Sequence, residues 1–185
     1  MIGLLLVRVS ANHHESVPSF PYATPVFGLA DIDGSLFVAD AGADIVELRN
    51  GTGTLIAELP GVTDVAPITR HIMFATTGGN PEGPNPPTAR KLYLVAFGKV
   101  HEFADLRAFE ASVNPDGGAI DSNPFDVAVP PRGLVVADAA ANALLSVDCR
   151  RGLTMPIAVT EGKKGQIFGL VNALIPGAAA VVPLP

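Results

Sequence analysis

The sequence predicts an all-β chain: a partial β-propeller of about three four-stranded antiparallel blades, with one short helix between two of them. Three observations carry that prediction. The segment FGLADIDGSLFVADAGADIVELRNGTGTLIAEL (27–59) recurs as FDVAVPPRGLVVADAAANALLSVDCRRGLTMPIAV (125–159), so the chain repeats itself. The repeated pieces are short runs rich in Val, Ile, Leu and Phe, bounded by Gly, Pro, Asn or Asp, as strands are. Hydrophobic residues make up 48% of the 185 and charged residues only 16%, a balance that fills a packed interior rather than a disordered chain.

The elements follow in order. The first blade, about 26–60, opens with an apolar strand and turns at Asp31, Asp33 and Gly34, a hairpin signal. LFVAD then ends on Asp40, DIVELR alternates, and Asn50-Gly51 turns the chain again; Asn50-Gly51-Thr52 also spells a glycosylation sequon, but reads first as a turn. The middle blade, about 63–104, is degenerate. TDVAPITRHIMFATTGGN gives two strands, with Thr76 where its siblings carry Asp40 and Asp138, and KLYLVAFGKVHEFA gives two more around a tight FGK turn. ADLRAFEASV then spaces Leu106, Phe109 and Val113 as one helix face, with Asp105 as N-cap, across the gap before the third blade, about 124–160. LFVAD and LVVAD are nearly continuous apolar runs, which read as one inner layer buried on both faces. About four strands per 40–45 residues is the blade signature.

NPDGGAIDSNPFDVA, between helix and third blade, raises a choice between metal loop and turn. A calcium loop needs oxygens at alternate positions into Gly and a Glu beyond it. Asn114 and Asp116 precede Gly117, but no third alternate ligand precedes them and no Glu follows. As a turn every residue fits: both Asn-Pro pairs start turns, Asp116-Gly117-Gly118 supplies positive φ, and Asp121 or Asn123 caps backbone donors.

Asp40 and Asp138 carry the open chemical question. Each ends an apolar strand, where its carboxylate can accept from the N–H groups of the following turn. Alternatively, acids of successive blades converge near the axis and, with Asn142, hold a divalent cation such as Ca2+; Thr76 interrupts such a ring. His13, His14, His71 and His101 show no i, i+4 pairing, and HExxH, GxSxG and Walker patterns are absent from the sequence. A net charge of −6 without a basic cluster excludes a nucleic-acid partner. Cys149 has no second cysteine to pair with. Residues 1–24 read as a leader too short in its apolar run for a signal peptide. The apolar tail 162–185 is broken by Asn172 and Pro176, so a membrane span is not expected there. The Pro- and Gly-rich insertion Thr76–Lys91 is the longest loop and a candidate partner surface.

ADLRAFEASVNPDGGAIDSNPFDVA followed by LVVADAAANALLSVD, with the earlier GSLFVADAGADIVEL and LPGVTDVAP, resembles the ScyD/ScyE family of NHL-like β-propellers, named after the scytonemin gene cluster. The resemblance runs from about Pro25 to Val159. It implies a propeller that commonly works outside the cytoplasm, and no known activity. The expectation is a non-catalytic binding or structural module with a small-molecule or protein partner. Two alternatives stand beside it: a metal-dependent lactonase- or esterase-like propeller hydrolase using Asp40, Asp138 and Asn142, and a non-functional truncated fragment. Such propellers close with about six blades. Three blades leave open faces, from which self-association is expected.

Overall fold

The computed structural model describes residues 25–40, 42–80, 82–131 and 133–148, and the backbone of 154–159. The leader, Cys149 and the tail after Glu161 lie outside the described residues. Twelve strands form three four-stranded antiparallel sheets, each in chain order. The first sheet holds β1 (Val26–Ile32), β2 (Ser35–Asp40), β3 (Asp44–Arg49) and β4 (Thr52–Glu58). The second holds β5 (Val62–Thr69), β6 (Ile72–Thr77), β7 (Lys91–Ala96) and β8 (Lys99–Asp105). Helix α1 (Leu106–Val113) follows, and then β9 (Pro124–Ala128), β10 (Leu134–Asp138), β11 (Ala143–Val147) and β12 (Thr154–Val159).

Turn chemistry sets the register. Asp33-Gly34, Asn50-Gly51 and Phe97-Gly98 each put two successive residues at positive φ, joining Ile32 to Ser35, Arg49 to Thr52 and Ala96 to Lys99 as paired residues. Two left-handed residues in a two-residue loop match the twist of the flanking strands. The first two turns have the Asp or Asn that tolerates this backbone. The third places a phenylalanine there, and Phe97 is 73% exposed, stacked on His71 at 5.7 Å.

The sheets pack face to face through two cores. Phe37, Ala39 and Ile45 of the first meet Val65, Met73, Tyr93 and Val95 of the second. On the other side of the second sheet, Phe74 and Leu92 meet Leu134, Val136 and Leu145 of the third. Burying each such large side chain contributes about 1.5–3 kcal/mol. At one edge of these stacked sheets β1 packs on β5, and β5 on β9. These three are the innermost strands of the arrangement. The LFVAD and LVVAD runs are therefore second from the axis, not innermost: they are apolar on both sides because each has a paired strand at either hand and packing on its faces.

Register also corrects an equivalence. Val26, Val62 and Pro124 pair with Asp40, Thr77 and Asp138. Thr77, not Thr76, occupies the strand-end position; Thr76 pairs with Asp64 and corresponds to Ala39 and Ala137.

The helix starts as expected, with Asp105 Oδ1 accepting from Ala108 N at 2.8 Å. Its buried stripe is rotated from the expected one. Leu106 is buried and Phe109 packs on the core, but Val113 is 49% exposed and Glu110 only 1%. The insertion before β7 is anchored at several points: Asn80 and Asn85 bond each other, Thr88 Oγ1 donates to Pro60 O at 2.6 Å, and Arg90 pairs with Asp121 at 3.2 Å. On the face of the first sheet turned from the second, Leu29, Leu36 and Leu55 are exposed while Val38 and Val46 are buried.

Candidate functional site

The strand-end acids hold the connections that follow their strands. Asp138 is fully buried. Its Oδ1 accepts from Asn123 N at 2.7 Å and Ala141 N at 3.2 Å, and its Oδ2 from Ser122 Oγ at 2.6 Å. Burial pushes this carboxyl up, and the bonds from Ser122, Asn123 and Ala141 pull it back. Asp40, also fully buried, accepts from Gly42 N at 2.8 Å. Thr77 does the same work with a hydroxyl, accepting from Lys91 N at 3.1 Å and donating to Thr88 O.

The structure does not bring the three proposed metal ligands together. Asp40 lies on the face of the first sheet turned from the second, Asp138 on the face of the third turned towards it, and the second sheet stands between them. Asn142, at φ 49°, gives its Nδ2 to Asp116 Oδ2 at 2.7 Å instead. Among the described residues no group of three or more His, Cys, Asp or Glu is placed to hold a metal ion.

The NPDGGAIDSNP loop is held by its own polar groups. Asn114 has φ 43° and Gly117 φ 65°, Asp116 Oδ1 accepts from Gly118 N, and Asp121 Oδ1 accepts from Ser122 N. Asn123 fastens the loop to two other elements: its Oδ1 accepts from Gly79 N at 2.9 Å and its backbone oxygen from Ala139 N at 3.0 Å. Under this loop sits Glu110, with no hydrogen bond to either carboxyl oxygen. Burial, then the nearby Asp116 and Asp138, raise it to about 7.

A different pair of acids faces open space. The innermost strands β1, β5 and β9 wall a cleft of about 500 Å3, formed by Phe27–Asp31, Asp64–Pro67 and Phe125–Val129. Asp64 and Asp126 hydrogen-bond each other there, and both are half-buried. Asp64 Oδ2 also accepts from Val127 N at 2.9 Å, tying β5 to β9. On its other side Asp64 lies over Gly28: a Cβ at Gly28 would come within 2.2 Å of Asp64 Oδ1 and 2.6 Å of its Cα, so only glycine fits. Burial first, and then the hydrogen bond with Asp126, push Asp64 up to about 8, against the opposing pull of Val127 N–H. Two carboxyls in contact keep a proton between them because both cannot ionise cheaply. Phe27, 49% exposed, and Phe125 stand 6.1 Å apart at the same cleft, their planes inclined by 55°.

The sequence held a signal for this pair. FGLA, TDVA and FDVA align so that Gly28, Asp64 and Asp126 share one column, and their partners Ala39, Thr76 and Ala137 confirm the column. The acid at the end of the second strand is the more conspicuous match between the first and third copies.

Comparison with known proteins settles the fold. A solved nidogen/laminin complex is similar to this chain with a TM-score of 0.54 and 14% identity, over 74% of this chain and 49% of that one. The fold is a β-propeller. A Bacteroides thetaiotaomicron protein of unknown function is similar with a TM-score of 0.52 and 11% identity, over 77% of this chain and 33% of that one. The chain thus spans about half the length of the first of these propeller-like structures and a third of the second. At such identities the likeness speaks for fold alone. No protein-family model and no curated protein matches the sequence.

Proposed function

We propose that this chain is a non-catalytic β-propeller binding module of the ScyD/ScyE type, working outside the cytoplasm, that holds a small molecule in its axial cleft. The observation that supports the reading is the hydrogen-bonded pair Asp64–Asp126 on the wall of a cleft of about 500 Å3. Ligand pockets are of this size, combine apolar walls with few convergent polar groups, and gather perturbed acids. Among the described residues, the cleft wall has no Ser, Cys, His or Lys to serve as nucleophile or imidazole base. Asp64 accepts from Val127 N–H and packs closely against Gly28, which suits a positioning group better than an attacking one.

The test is a mixed set of neutral, cationic and anionic fragments titrated into the 15N-labelled chain. Saturable shifts at the amides of Gly28, Val65 and Val127 are expected from at least one class. Shifts confined to other surfaces, or none from any class, would sink the reading. Calcium that raises the melting temperature, with the rise lost in Asp138→Asn, would favour a metal-dependent reading instead.

A further inference from the structure

We infer that the axial cleft selects a small organic cation, a protonated amine carried on a flat apolar body. The inference rests on the cleft being a binding site, and adds the chemical class of what binds. The wall brings the carboxyls of Asp64 and Asp126 together, and its described residues include no Lys, Arg or His. An anion meets like charge from this pair, and a neutral ligand gains from it a hydrogen bond without charge attraction. An inorganic cation lacks its ligand set, since no three acids among the described residues are grouped to coordinate a metal ion. Phe27 and Phe125 add ring faces and edges at the same wall. A ring attracts a cation over its face, and a carboxylate accepts a charge-assisted bond from an ammonium N–H. Both interactions ask for one ligand type: an ammonium with an apolar plate beside it.

Binding has a proton signature. The proton that Asp64 retains up to about pH 8, on the side facing Asp126, occupies the place of the positive charge. An ammonium that bonds to the pair displaces it, so affinity rises as pH is raised towards that value, and a proton is released on binding.

The test uses benzylamine, benzyl alcohol and phenylacetate, three ligands of one ring and different charge, on the full chain. Amide shifts at Gly28 and Val127 locate the binding, and titration in two buffers of different ionisation heat counts the proton. Benzylamine is expected to bind there about tenfold or more tighter than benzyl alcohol, the difference that roughly 1.4 kcal/mol of charge interaction makes. The double variant Asp64→Asn/Asp126→Asn, which removes both carboxyls, should reduce it to the level of the alcohol. Asparagine keeps an acceptor for Val127 N–H, and an unchanged Val127 amide exchange rate verifies the fold. Equal affinity of amine and alcohol, or tighter binding of phenylacetate, at these amides overturns the ligand class and leaves the cleft as a binding site. Silence of Gly28 and Val127 towards all three overturns the ligand class, and a fragment set that is also silent there removes the site itself.

Discussion

Asp138 and Asp64 are the same residue type on neighbouring blades, one on a second strand and one on a first, and their surroundings give them opposite uses. Asp138 is fully buried and spends its carboxylate on Asn123 N, Ala141 N and Ser122 Oγ, all from the connections at its own blade's end. Asp64 is half-buried, reaches across to Val127 N of the next blade, and shares a hydrogen bond with its equivalent Asp126 at a cleft. Position within the blade decides the role. At the end of the second strand a polar side chain closes the following connection, and Thr77 can replace an acid there. On the innermost strand the same side chain meets its counterparts from other blades.

The contrast is broken most forcefully at Asp138. Asp138→Ala removes the acceptor for three buried or half-buried donors, and is expected to cost about 3–5 kcal/mol in denaturant unfolding. Asp64→Asn, which retains its backbone acceptor, is expected to cost about 1 kcal/mol or less. Equal losses in the two variants would mean that both acids are structural.

A smaller effect, visible only against pH, sharpens the loop side of the comparison. Glu110 is raised from 4.5 to about 7 by burial and by Asp116 and Asp138, with Arg107 opposing and Asp121 adding to the rise. A carboxyl that holds its proton more tightly when folded stabilises the fold below its unfolded value, and that stability is lost as pH climbs through the folded one. Melting temperatures of the wild type should therefore fall between about pH 4.5 and 7 by more than those of Glu110→Gln. Parallel curves for the two proteins would contradict this account of the buried carboxyl.

The architecture was legible because its signals are local. Asn-Gly and Asp-Gly pairs fix hairpins by backbone conformation alone, and two apolar runs ending in Val-Ala-Asp mark two blades. The helix start at Asp105 was legible for the same reason, as a cap within its own turn. What the sequence hid depends on packing between blades. Thr76 and Thr77 are adjacent, and only the pairing of β5 with β6 shows which one stands with Asp40 and Asp138. Glu110 has the character of a surface residue, yet lies under a loop that tertiary contacts fold over it. The axial pair was hidden because alternation along a strand reports its two faces and says nothing of its distance from the axis.

The central claim is that Asp64 and Asp126, one column of the repeat, act as a single proton-sharing pair on the cleft. Carboxyl 13C shifts of the two residues, followed from pH 3 to 10, test it most directly. The account predicts that Asp64 holds its proton until about pH 8, far above the ordinary 3.8, and that Asp126→Asn moves this step to lower pH. Ionisation of Asp64 at ordinary acidic pH, indifferent to Asp126→Asn, would contradict it.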